Sequence, residues 1–461
     1  NLEGELIDVM KAKNNNNIHK NYFKINGWIP ITENKINVVE INPTRKIVTF
    51  QESLRLTLLV GQIFALLPVF GVFSKNASNI RFRWLSWKCL YFILSLSGQA
   101  FMAAMCIHKL LNWDTSLKAT TSVIFYMMTV ITMLIFFQIA RCWPNLVQHI
   151  ARTEEMDPNF DTNLLFKCNF TCIVVLTLAL FEHILSLLSA LAGASSCYPN
   201  TGVYEGFTKY FYPWVFHFLP YSASLGFLTQ FLHFQSTFIW NFSDLFVICM
   251  SYYLTSRLEQ VNERLMAAQG KYLPESFWRT TREDYSRATQ LVRRVDEVIS
   301  GVVFISFANN LFFICLQLFN TLDCSRDCTR GNFETSVPLG GYEAAAYFFF
   351  SLVYLISRSV TVSLVASQVN SASQVPAPVL YDVPSPVYCA EVQRFLDQVN
   401  GDNVALSGLQ FFNVTRGLLL TVAGTIVTYE LVMFQFSPQD SADTSSDINT
   451  TLFNSISTLP P

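Results

Sequence analysis

Polar and ionisable side chains interrupt several long apolar runs of this chain. Such residues are functional candidates by default, because hydrocarbon solvates charges and amides poorly. Glu182 and His183 break one run, Trp240, Asn241 and Asp244 another, Asn309 and Asn310 a third, and Tyr354 and Arg358 a fourth. A carboxylate, an amide pair and a guanidinium could bind several hydroxyls of one ligand. Alternatively, Glu182 and Arg358 could form a structural ion pair, since an unpaired charge at that depth is costly. The final apolar stretch, 409–436, carries Thr428, Tyr429, Glu430 and Gln435 where a membrane helix usually avoids polarity. None of these groups has catalytic spacing. Glu182-His183 is no metal-ligand pattern, and the chain lacks a nucleophile elbow, a phosphate loop and a CxxC pair. Neither an enzyme nor a metal or cofactor is expected.

The elements that position these residues follow from composition. Of 461 residues, 51% are hydrophobic and only 14% charged, against about 25% charged in a soluble domain. Mean hydropathy is +0.32, so the chain belongs in a lipid bilayer, and a net charge of −2 argues against nucleic acid as a partner. Stretches of about 20 apolar residues suit membrane helices. They fall at 53–73, 87–107, 120–140, 169–194, 213–253, 295–320, 341–369 and 409–436. One set of connecting segments holds 22 Lys and Arg, the other 5; the basic set belongs in the cytoplasm. Residues 1–52 and 74–86 then share one side, so 53–73, with Arg55, Gly61, Pro68 and Gly71, reads as a re-entrant helix. The expected fold is an all-α membrane protein of seven transmembrane helices, with the N-terminus cytoplasmic and the C-terminus extracellular.

The domain reading follows the same division. Residues 1–52 form a cytoplasmic arm, partly disordered, and 53–73 the re-entrant helix. Spans one to four, 74–253, make a sensor domain. The helical pattern of the fourth span continues toward Ala268, far beyond a roughly 30 Å hydrocarbon core. Residues 254–294, with a further helix in 370–408, therefore read as a cytoplasmic helical anchor. Spans five and six occupy 295–369, the seventh occupies 409–436, and 437–461 is an acidic extracellular tail. Cys324 and Cys328, with Cys197, fall in outer loops where disulfides are allowed; spacing does not decide their pairing. On the seventh span Thr428, Val432 and Gln435 recur at i, i+4 and i+7, with Phe436 beside them. Around a central axis this stripe would present a Val ring, a Gln ring and Phe side chains, able to gate by dewetting and to help a hydrated cation pass. Tyr429 and Glu430 point elsewhere, toward packing or coupling.

In that terminal helix the run Thr428-Tyr429-Glu430-Leu431-Val432-Met433-Phe434-Gln435-Phe436 resembles the signature of insect gustatory receptors. The blocks Phe181-Glu182-His183, Trp240 to Phe246, Asn309 to Phe313, Leu355 to Arg358 and Val404 to Gly408 resemble their sugar-receptor branch. The resemblance runs from about residue 53 to 436 and implies a multi-pass plasma-membrane protein. It further implies a sugar-opened cation channel, homotetrameric or heterotetrameric with sister receptors, whose ligand is a mono- or disaccharide. Carried onto this chain, it makes Val432, Gln435 and Phe436 gate candidates. Sugar sites combine aromatic surfaces with polar partners. On the expected topology Glu182, His183, Asn309, Asn310, Gln317, Tyr354, Arg358, Tyr126, His217, Tyr221 and Gln230 converge at one depth, open to the outside. Trp240, Asn241 and Asp244 lie toward the cytoplasmic half of their helix, with packing or coupling as the expected role. A bitter or carbon-dioxide receptor, or a G-protein-coupled receptor, is the competing reading; the charge distribution opposes the last.

Overall fold

The computed structural model describes residues 48–74, 76–112, 117–158, 161, 163–322 and 342–435. Most of the N-terminal arm, Cys324, Cys328, Phe436 and the acidic tail lie outside the described residues. Helix α1 (Phe50–Ile63) starts at Thr49, whose hydroxyl accepts the Glu52 amide, and has Glu52 in its first turn. At 14 residues it is about 21 Å long, too short to cross a membrane. The chain then doubles back through Ala65 and Leu67, both at positive φ. It enters an antiparallel pair, β1 (Val69–Phe70) and β2 (Arg81–Phe82), with Phe70 opposite Arg81. Gly71, φ 85°, is required there: a Cβ would sit 2.3 Å from the Asn79 carbonyl oxygen.

Helices α2 (Trp87–Asn112), α3 (Leu117–Met156) and α4 (Asn163–Cys197) follow. Two short helices come next, α5 (Val203–Phe211) and α6 (Pro213–Phe216), and then α7 (Ala223–Ala268). The sequence reading starts the fourth span at 213. The structure starts its long helix ten residues later, because Pro213 opens a separate short turn and Pro220 interrupts the chain before the Ser222 cap. Helices α8 (Glu275–Leu322) and α9 (Glu343–Gln374) complete the long elements. At 46 and 48 residues, α7 and α8 are about 69 and 72 Å long.

The helices α2, α3, α4, α8 and α9 are long and apolar enough to cross a membrane. Helix α7 carries Gln230, His233, Gln235, Asn241 and Asp244, yet it is buried on all faces over its middle, from Asn241 to Met250. Its polar groups are enclosed by protein, and it packs on α4, α8 and α9.

Below the spans, α10 (Pro376–Tyr381) and α11 (Ala390–Gly401) pack on the extended ends of α7 and α8. Helix α11 buries Val392, Phe395, Leu396 and Val399, with the Phe395 ring 5.2 Å from Tyr285. The last apolar stretch is not helical from 409. A hairpin, β3 (Ser407–Gly408) with β4 (Phe412–Asn413), occupies its start, and α12 runs from Arg416 to Gln435. Leu409 and Gln410 hold positive φ at the tip. At 20 residues, α12 is about 30 Å long, enough to cross.

Candidate functional site

Asp244 of α7 and Arg358 of α9 form an ion pair at 2.8 Å, with side chains 0% and 2% exposed. Burial at that level is tolerable only when the remaining polar atoms are satisfied. Ser306 donates to one carboxylate oxygen of Asp244, and Asn310 Nδ2 donates to the other at 3.1 Å. Arg358 donates to Asn241 Oδ1 and, at 3.3 Å, to Asn310 Oδ1. Tyr354 Oη donates to Asn241 Oδ1 at 2.8 Å. The guanidinium lies 4.6 Å from the Trp240 ring centroid and 5.3 Å from that of Tyr354. Three helices are thus tied together by one set of charge-assisted bonds.

The sequence reading groups Asn310, Tyr354 and Arg358 with Glu182, and leaves Asn241 and Asp244 apart. The structure instead gives Arg358 to Asp244. Glu182, partly exposed, accepts a hydrogen bond from Ser351 at 2.5 Å. The late start of α7 explains the difference: it moves Asp244 about 15 Å toward the helix start, level with Arg358. Ser306 is a member that sequence reasoning missed. Its position one turn before Asn310 on α8 is the only signal that pointed to it.

A second group lies toward the start of α7. Tyr126 Oη is 3.1 Å from His233 Nδ1, and Tyr212 Oη donates to Gln230 Oε1 at 2.6 Å. The buried His183 ring is 5.8 Å from His233. His217 and Tyr221 fall in the irregular stretch between α6 and α7, where their rings contact Phe218 and Phe216. Gln317 donates to the Phe348 carbonyl at 3.4 Å, joining α8 to α9.

Beside these groups a narrow crevice, with room for about one water, is lined by Phe125, Met128, Thr129, Thr132, Ile239, Trp240, Asn309 and Phe313. Trp240 and Phe313 have ring centroids 4.6 Å apart. Trp240 Nε1 and Asn309 Oδ1 are both buried and lack a hydrogen-bond partner among the described residues. A donor and an acceptor left unpaired in one crevice are costly unless water or a ligand supplies their partners. Successive residues of a helix point about 100° apart, which is why Asn310 enters the ion-pair network while Asn309 faces the crevice. Phe125, Thr129 and Thr132 are not among the sequence candidates.

On α12, Thr428 bonds to the Gly424 carbonyl of its own helix at 2.9 Å. Val432 and Tyr429 are exposed at 44% and 41%. Glu430 is partly buried, with Oε1 lacking a partner among the described residues. Phe436 and the Gln435 side chain lie outside the described residues. Helix α12 rests on α8 and α9, but neither Gly417 nor Gly424 meets another helix among the described residues. The hairpin before it is held by Asp296 of α8, which accepts from the Ser407 amide at 2.6 Å, the Ser407 hydroxyl at 2.7 Å and Gln410 Nε2 at 3.3 Å. Phe304 and Phe307 of α8 pack on Phe411 and Phe412 at 5.9 and 5.6 Å.

Long helices continuing beyond their apolar spans, around a polar bundle core, define a multi-pass membrane protein. The fold is similar to that of insect olfactory receptor OR5 from Machilis hrabei, in complex with eugenol, with a TM-score of 0.62 at 14% identity over 83% of this chain and 98% of that one. The chain belongs to the trehalose receptor family, whose model matches residues 36–445, and so to the insect gustatory receptors. Two Drosophila melanogaster relatives are similar over most of their length. Gustatory receptor for sugar taste 64f is 34% identical, over 84% of this chain and 81% of the relative. Gustatory receptor 5a for trehalose is 31% identical, over 93% and 96%.

Proposed function

We propose that this protein is a sugar-gated, nonselective cation channel acting as a taste receptor in insect chemosensory neurons. The observation that carries the reading is the crevice with an unpaired indole N–H on Trp240 and an unpaired amide oxygen on Asn309. A mono- or disaccharide offers hydroxyls to both and an apolar face to Trp240, Phe313 and Phe125. The names of the relatives, one for sugar taste and one for trehalose, favour the same ligand class.

Small-molecule sites usually enclose about 300–1,000 Å³, whereas the crevice as it stands has room for about one water, so it must open considerably to admit even a monosaccharide. Widening displaces Asn309 and Phe313, and with them α8. The same helix holds the hairpin ahead of α12 through Phe304, Phe307 and Asp296. Sugar binding thus reaches α12 through α8. Four copies of α12, in a homotetramer or with sister receptors, line the pore, with Thr428, Val432, Gln435 and Phe436 facing the permeant cations. The N-terminus and the anchor are cytoplasmic, and the end of α12 is extracellular.

Whole-cell recording on cells lacking G-protein coupling tests this directly. Sugar-evoked cation current is expected, and Trp240→Phe, which keeps the ring and removes the N–H, should raise the half-maximal sugar concentration by about tenfold. Absence of current with any sugar, alone or with sister receptors, defeats the reading. Responses to bitter compounds or carbon dioxide only would leave the channel and remove the sugar.

A further inference from the structure

The arginines of the cytoplasmic anchor are consumed by carboxylates of the same chain. Arg257, Arg264, Arg279, Arg282, Arg287, Arg293, Arg294 and Arg394 each lie within 3.6 Å of an Asp or Glu oxygen. The arginines around the β1–β2 hairpin behave differently. Arg55 donates to the Phe73 carbonyl, and neighbouring Lys88 donates to Gln62 and to the Val69 carbonyl. Arg81, Arg83 and Arg141 are exposed and make no ion pair or side-chain hydrogen bond among the described residues. Arg141 only lies over the Trp84 ring, at 5.5 Å. No Asp or Glu occurs between Glu52 and Asp114, so nothing nearby along the chain offsets Arg81 and Arg83.

The same element displays large apolar side chains. Leu85 is fully exposed, Trp87 68%, Phe73 62% and Trp84 59%. It is nonetheless fixed rather than loose, since Phe82 and Trp84 pack edge-on against Phe137 of α3 at 5.7 and 5.4 Å. Trp87 opens α2, and Arg141 sits where the apolar part of α3 ends. Tryptophan belts and outward arginines at helix ends mark the membrane–water interface. The cytoplasmic leaflet there is anionic and attracts basic residues.

We propose that the β1–β2 hairpin and its approach to α2 form a binding site for anionic lipid headgroups of the inner leaflet. Arg81, Arg83 and Arg141 contact the headgroup, while Trp84, Leu85 and Trp87 sit at the acyl boundary. The proposal rests on the inward orientation of the hairpin given above.

The test uses the purified full-length receptor in bicelles of zwitterionic phosphatidylcholine, titrated with short-chain phosphatidylserine and read by native mass spectrometry. The wild type should retain phosphatidylserine in preference to phosphatidylcholine. The triple variant Arg81→Gln, Arg83→Gln, Arg141→Gln should weaken that retention on the order of a hundredfold. The corresponding triple Lys variant keeps the charge and should keep most of the binding. Arg279→Gln, in the anchor, should change nothing. Equal retention of both lipids by the wild type, or full retention by the triple Gln variant with the Lys variant folded, overturns the site. Displacement of the lipid by inorganic phosphate at equal concentration would make it a phosphate site and overturn the lipid assignment. Orientation is checked separately: a Leu85→Cys thiol, on a background with Cys142, Cys197, Cys324 and Cys328 all replaced by Ser, should resist an impermeant maleimide applied to intact cells. Labelling from outside would overturn the inward orientation, and with it the inner-leaflet site, while leaving the headgroup titration as an independent result.

Discussion

Asp244 and Asp157 both meet arginines, in opposite settings. Asp244 has one arginine, Arg358, in a fully enclosed set where Ser306, Asn310, Asn241 and Tyr354 satisfy the remaining atoms. Asp157, near the end of α3, is shared by Arg257 at 3.0 Å and Arg264 at 2.5 Å, and Arg264 also reaches Asp284 at 2.6 Å. The Arg264 side chain is 38% exposed. The difference teaches what each cluster is for. A dry network holds its helices in one register and is intolerant of change. The Asp157 network, whose carboxylates are also largely buried, has spare partners: Arg257 and Gln260 on Asp157 and Arg287 on Asp284 remain if Arg264 is lost.

Three experiments can break or sharpen this contrast. Asp244→Ala strands a buried guanidinium and should destabilise the bundle by about 3–5 kcal/mol. Loss of surface expression and a lowered unfolding temperature in detergent would report it. Asp244→Leu with Arg358→Met should recover much of the stability, because no charge is then left unpaired. If the double variant is as unstable as the single, the ion pair is not what the network protects. Arg264→Ala, by contrast, leaves Arg257 on Asp157 and Arg287 on Asp284, and should cost only about 1 kcal/mol. A loss as large as that of Asp244→Ala would erase the distinction.

The smallest effect concerns Glu391. The hydrogen bond from Arg282, reinforced by Arg394, holds its carboxyl below the usual range. Its folded value is the lower one, so the stabilisation is complete above the unfolded value of about 4.3 and fades as pH falls through the folded value. Between about pH 5 and 3, Glu391→Gln should therefore flatten the pH dependence of the unfolding temperature slightly. A steeper dependence in the variant would contradict the assignment.

Much of this architecture was legible in the chain. Apolar runs located the spans, because hydrocarbon selects on average composition over about 20 residues. The further helix expected within 370–408 is α11, where Val392, Phe395, Leu396 and Val399 recur at helical spacing. Residues 409–415 were not legible as a hairpin. Their turn depends on positive φ at Leu409 and Gln410, which neither residue advertises, and on Asp296 far back in sequence. The candidate crevice was half legible: Asn309 stood out as an amide in an apolar run, whereas Phe125 and Phe313 looked like any lipid-facing aromatic.

By itself the sequence determined that the chain is a helical membrane protein and which family it resembles. Both follow from local composition and short ordered motifs. Tertiary structure alone decided which polar residues meet. That depends on where each helix begins and how it is rotated about its axis. A ten-residue shift at Pro220 put Asp244, rather than Glu182, against Arg358, and a 100° turn separated Asn309 from Asn310.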